Sequence, residues 1–215
     1  ETKYTVPLKF WFCNNIGASL PLLSLYHHSV KLTLSLTEFS KCITYDGASP
    51  PTQVNILNPS ILAEYIYLED SEAKKFQKNT HKYIINQVQT LPGESVNSGG
   101  IHRCLLSFNN PCSELIFVVR ENDSELNNDW FNFARRNTIV NTPVLPLIKR
   151  CKLVIDGGDY TNTLEENVLR TLNIHRYHTN PTVKHIYVIP FCNEPEKWYP
   201  TGSLNFRVIT APELY

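Results

Sequence analysis

LKFWFCNNIGASLPLLSLYHHSV, residues 8–30, leads directly into KLTLSL at 31–36. Leu8, Phe10, Trp11 and Phe12 read as an apolar aromatic strand that stops at the polar turn Asn14-Asn15-Ile16-Gly17. An apolar stretch marked by Pro21 follows, and beyond it Val30, Leu32, Leu34 and Leu36 alternate with Lys31, Thr33 and Ser35. A period of two puts successive side chains on opposite faces of an extended chain, so this segment predicts a sheet strand with one buried face. WYPTGSLNF, residues 198–206, is read together with it. Neither stretch carries a nucleophile, a phosphate cradle or a metal cage, which points to architecture rather than chemistry.

Working outward, strand patterns dominate. After the strand at 30–37, turn chemistry occupies Asp46-Gly47 and Ser49-Pro50-Pro51-Thr52, and Asn58-Pro59-Ser60 marks a candidate domain boundary. Further strands are expected at 64–68, 81–89, 104–108, 113–120, 185–191 and 204–209. Asp156-Gly157-Gly158-Asp159 suits a tight hairpin turn after the apolar run that ends there. One short helix is expected, with Asp70 as its cap and acidic residues at its start, running from Ser71 toward Lys78. The polar segment 121–129 reads as a loop. Many short strands, proline-rich turns and a single short helix predict an all-β sandwich.

The totals narrow the functional classes. At 215 residues the chain holds one large β domain, or one domain and part of another. Twenty acidic and twenty basic residues balance to zero net charge. A nucleic-acid binder carries a basic excess or stripe, so direct nucleic-acid binding is not expected. No apolar run approaches the ~20 residues that span a bilayer, so no transmembrane segment is expected. Nor does the start read as a signal peptide. The chain has no methionine, which suggests an interior segment of a longer polypeptide. Its six cysteines show no C-x-x-C pairing and are expected to be reduced thiols, with Cys13, Cys104 and Cys192 small buried side chains.

Candidate sites are few, and the prediction is no catalytic, cofactor-binding or metal-binding residue. His175-x-x-His178 with His185 has the most metal-like spacing, but two intervening residues on a strand put the rings on opposite faces. A cupin-like metal site is therefore not expected. His27-His28 reads as one ring facing in and one out. Glu194, Glu196 and Lys197 read as a charged loop turned by Pro200-Thr201-Gly202. The pairs Arg135-Arg136 and Lys149-Arg150 read as loop or rim charge. Asn122-Asp123-Ser124 is the one N-x-S/T sequon, which makes Asn122 the candidate glycosylation site in an exposed loop. The aromatics Trp130, Trp198 and Tyr199 motivate an alternative reading, a lectin-like carbohydrate-binding β-sandwich module.

The order of motifs carries a resemblance. FWF, a turn and LPLLSLYHHSVKL are followed by EYIYLEDSEAKKF, HKYIINQVQ, SELIFVVR, NDWFNFAR, KLVIDGGDY and finally IYVIPFCNEPEKWYPTGSLNF. In this order the chain resembles the major capsid proteins of the nucleocytoplasmic large DNA viruses, along nearly its whole length. The resemblance implies a tandem double jelly roll, in which residues 1–62 are the C-terminal part of the first jelly roll and residues 63–215 most of the second. Family members extend upstream of Glu1 and past Tyr215, so both sandwiches are expected to be incomplete in this sequence. It also implies a non-enzymatic shell protein without cofactors. Such a protein forms trimeric pseudo-hexagonal capsomers of an icosahedral capsid and contacts neighbouring capsomers and minor capsid proteins. The virion shell, assembled in the host cell cytoplasm, is the implied location.

Overall fold

A computed structural model describes residues 3–25, 27–45, 49, 51–52, 55–137 and 142–215, without the side chains at 136, 137 and 142–144. The expected turn at Asp46-Gly47, and Pro50 in the next, lie outside the described residues. The chain divides into two compact units, 1–87 and 88–215.

In the first unit, local hydrogen bonding decides the structure. Short 3-10 turns occupy Trp11–Cys13, Ile16–Ala18, Leu22–Ser24 and Phe39–Lys41. The Asn15 side chain caps the second by accepting the Gly17 N–H at 2.7 Å. Helix α1 spans Asp70–Lys78, with Glu69 at the cap position and no side-chain cap. Asp70 therefore lies in the first turn and acts, with Glu72, through the helix dipole rather than as the expected cap. The helix end is fastened by its neighbours: Ser24 Oγ donates to the Phe76 carbonyl at 2.7 Å, and His81 Nε2 lies 2.7 Å from the same oxygen. The His81 ring stacks on Phe76, while Trp11 packs against Phe12 and Tyr83.

Several expected strands are corrected here. Residues 8–12 enter a 3-10 turn, and 30–37, 64–68 and 81–89 form no ladder with any described residue. Alternation prepares a segment for a sheet, but only a neighbouring backbone satisfies its N–H and C=O groups and makes it a strand. Without one, Val30, Leu32, Leu34 and Leu36 remain 57%, 46%, 71% and 64% exposed. His27 and His28 are both exposed in a turn, not alternating in a strand.

The second unit is where the sheets form. In chain order its elements are β1 (Cys104–Leu105), β2 (Pro111–Cys112), β3 (Glu114–Val118), α2 (Asn122–Leu126), β4 (Arg135–Asn137) and β5 (Thr142–Leu145). They continue with β6 (Arg150–Cys151), β7 (Leu153–Ile155), β8 (Gly158–Asp159), β9 (Leu164–Glu165), a π-helical turn (Val168–Leu172), α3 (Asn173–Tyr177), β10 (Ile186–Pro190), β11 (Leu204–Asn205) and β12 (Glu213–Leu214). The pairing is antiparallel and nested: β1 with β12, β2 with β11, β3 with β10, then β6 with β9 and β7 with β8 inside them. This is the connectivity of one long two-stranded ribbon rolled back on itself. Strand β12 also pairs with β7, closing a four-stranded sheet in the order β1-β12-β7-β8.

The innermost hairpin turns at Asp156 and Gly157, with φ of 52° and 78°, as the Asp-Gly dipeptide predicts. The core lies under the ribbon. Leu153, Leu169 and Tyr187 are fully buried, packed with Leu106, Leu115, Cys151, Ile189 and Phe206. Each such aliphatic side chain contributes about 1.5–3 kcal/mol on removal from water.

The expectation of one short helix is also corrected. Helix α2 replaces the expected loop, and the π turn and α3 form a continuous helical stretch at 168–177. Leu169 and Ile174, five residues apart across the π turn, are buried on its inner side, while Leu172 is exposed. Asn173 Nδ2 donates to the Val188 carbonyl at 2.7 Å and ties this stretch to β10.

Candidate functional site

His178 stands at the C-terminal end of α3, where its N–H bonds the Ile174 carbonyl at 2.8 Å. Its imidazole is flanked by two carboxylates from distant parts of the chain. Nε2 lies 3.0 Å from Glu114 Oε2, at the start of β3. Nδ1 lies 3.3 Å from Glu196 Oε1, in the loop after β10, and the same oxygen accepts the Thr179 N–H at 3.0 Å. Burial pushes the Glu114 carboxyl up, against the pull of His178. The Thr179 N–H is the main cause that holds Glu196 below the ordinary carboxylate range.

The two carboxylates meet different ring nitrogens and do not converge on one point. His175 is exposed on α3 and His185 is buried beside β10. Among the described residues, no three His, Cys, Asp or Glu side chains are grouped as metal ligands. His175 and His178, expected on a strand, belong instead to helix α3 and its C-terminal end.

A second polar cluster is buried. Arg170 Nε donates to Glu166 Oε1 at 2.5 Å on the π-helical stretch. Burial pushes the His185 imidazole down and the Tyr187 phenol up, and the Tyr187 hydroxyl has no hydrogen-bond partner among the described residues. A neutral imidazole and an un-ionised phenol suit packing, not proton transfer. Neither this cluster nor the role of Glu114 was expected from the sequence, where the i,i+4 spacing of Glu166 and Arg170 was the available signal.

Other side chains have structural duties. Asp156 Oδ1 accepts both the N–H and the hydroxyl of Thr210, at 2.8 and 2.5 Å, which holds its carboxyl low. Glu213, buried on β12, is bonded by Arg103 and by the Tyr215 hydroxyl at 2.7 Å. Thr201 Oγ1 donates to the Glu194 carbonyl at 3.1 Å and accepts the Glu194 N–H at 2.9 Å, closing the loop that carries Glu196, Lys197, Trp198 and Tyr199. Arg135 Nε reaches Glu121 Oε1 at 3.5 Å, the Arg136 side chain lies outside the described residues, and Lys149 and Arg150 are exposed.

Asn122 is exposed, but on α2 rather than in an open loop, and its sequon partner Ser124 is buried. All six cysteines are free; Cys192 is buried, Cys104 half-buried, and Cys13 exposed, against expectation, because its 3-10 turn buries no residue. Burial pushes the Cys151 thiol up to about 12. No helix among the described residues is long and apolar enough to cross a membrane.

A rolled antiparallel ribbon whose polar side chains fasten strand to loop defines a structural β protein of the jelly-roll class. A family model described as large eukaryotic DNA virus major capsid protein matches residues 72–214, and one described as major capsid protein N-terminus matches residues 1–69. The chain belongs to this family of virion capsid components. It is 29% identical to the major capsid protein of Pyramimonas orientalis virus over 97% of this chain and 52% of that one. It is 35% identical to that of Chrysochromulina ericina virus over 56% of this chain and 23% of the relative. The chain thus spans about a quarter to a half of the length of these relatives.

Among solved structures, a chain of the quasi-atomic PBCV-1 virus capsid superposes with a TM-score of 0.54 at 19% identity, over 69% of this chain and 41% of that one. A PBCV-1 crystal structure fitted into a reconstruction of the virophage Sputnik gives 0.57 at 18%, over the same shares. The fold is therefore the all-β jelly-roll sandwich of a double jelly roll, and the corrections above concern where its strands and helices fall. These relatives are capsid proteins and lend no support to the lectin-like reading.

Proposed function

We propose that this chain is part of a major capsid protein that builds trimeric pseudo-hexagonal capsomers of an icosahedral large DNA virus shell, and that it acts by shape without catalysis. The nested ribbon of residues 104–214 carries the reading, in a chain that belongs to the capsid family. Residues 1–62 belong to the closing part of the first jelly roll and 63–215 to most of the second. The exposed alternation of Val30, Leu32, Leu34 and Leu36 supports this division, since such a face is stable only when another layer covers it. Zero net charge lets identical subunits pack without strong mutual repulsion.

The partners are two further copies of the protein, neighbouring capsomers and minor capsid proteins, with assembly in the host cytoplasm. Rotational symmetry lets one sequence make many identical contacts, across interfaces of about 2,000 Å² or more. If Asn122 is glycosylated, its helical setting and the buried Ser124 favour modification before folding. Multi-angle light scattering of the full-length protein tests the assembly reading. It is expected to give three times the subunit mass; a monodisperse monomer would overturn it.

A further inference from the structure

We propose that His178 is a pH-sensitive clasp, closed in mild acid and released toward alkaline pH, that holds the end of α3 and the loop at 192–202 against β3. Both of its ring nitrogens face a carboxylate oxygen, Nε2 toward Glu114 and Nδ1 toward Glu196. Carboxylates only accept, and a neutral imidazole has a single N–H. Two protons must therefore be shared among these three groups for both contacts to be attractive. The second proton can sit on the ring or on Glu114, whose burial favours protonation. Its loss leaves one acceptor facing another.

The contact that suffers is not rescued by water. Glu114 Oε2 and His178 Nε2 are both buried and approach each other to 3.0 Å, and among the described residues neither has a well-aligned hydrogen-bond partner. Leaving such atoms uncompensated costs far more than losing an exposed hydrogen bond. On α3 itself His175 and Arg176 precede His178 and both are exposed, and on the loop Glu194 and Lys197 flank Glu196 and are exposed as well. From β3 the facing group is Glu114, and from the loop it is Glu196.

The clasp has a clear cargo. The loop it fastens carries Trp198 and Tyr199, exposed and packed edge to face at 5.5 Å. The Thr179 N–H bond to Glu196 does not titrate, so the loop loosens rather than unfolds. This inference is independent of the capsid reading, because it concerns one chain's internal contacts.

Hydrogen exchange on the full-length protein, expressed as protection factors to remove the intrinsic pH dependence, tests it. Protection across residues 192–202 is expected to fall about tenfold between about pH 6 and about pH 8, the loss of one buried charge-assisted contact when the second proton leaves the three groups. His178→Gln should flatten that step. Glu196→Gln, an exposed change that keeps an acceptor for Thr179, should shrink it, and it carries the test if the first variant folds poorly. A wild-type loop whose protection is unchanged over this range overturns the clasp, and so does a full step that survives in either variant.

Discussion

Asp156 shows how much one carboxylate can do in this fold. It adopts the positive φ that opens the β7–β8 turn, and its Oδ1 takes two hydrogen bonds from Thr210, 54 residues further along the chain. Those bonds favour the ionised form and lower its pKa on folding. The stabilisation is therefore complete above the ordinary carboxylate range, about pH 4, and is lost as pH falls through the lowered folded value. Thr210→Val should weaken acid sensitivity by removing the hydroxyl bond while the backbone bond stays. Urea midpoints measured across the acid limb check this, and a limb identical to wild type contradicts it. The Asp-Gly turn is legible in the sequence because its positive φ is a local demand. Thr210 is not, since nothing near it in the chain announces Asp156. The same holds for His178, whose partners Glu114 and Glu196 come from β3 and a separate loop.

Among the elements, β3 and β10 were readable because each is an apolar, β-branched run that finds a partner inside the same unit. Segments 30–37 and 64–68 have equally good patterns and no described partner, so pattern alone overstated them. The helical stretch at 168–177 was hidden by the polar residues among its apolar positions and has no side-chain cap to mark its start. The loop after β10 depends on one close approach. Gly202 has φ of 141°, and a Cβ there would stand 3.2 Å from Cys192 Cα and 3.3 Å from the Phe191 carbonyl oxygen. Both neighbours are backbone atoms at the end of β10, which cannot yield cheaply. Gly202→Ala is expected to destabilise the second unit by about 1–3 kcal/mol, from overpacking and a disfavoured φ. An unchanged midpoint in chemical denaturation would contradict this close packing.

For the whole molecule, balanced charge argued only against a basic nucleic-acid binder, and the order of motifs along the chain carried the shell reading. The second unit buries a core of its own, whereas the first leaves a row of apolar side chains in solvent. In the proposed tandem architecture those side chains would form the inner face of another sandwich. A cryo-EM structure of the assembled full-length protein settles the matter. Residues 30–36 should then pair as a strand of a first jelly roll, with Val30, Leu32, Leu34 and Leu36 buried and three copies related by a threefold axis. A structure in which these four side chains stay in solvent, and no second sandwich covers them, would contradict the account.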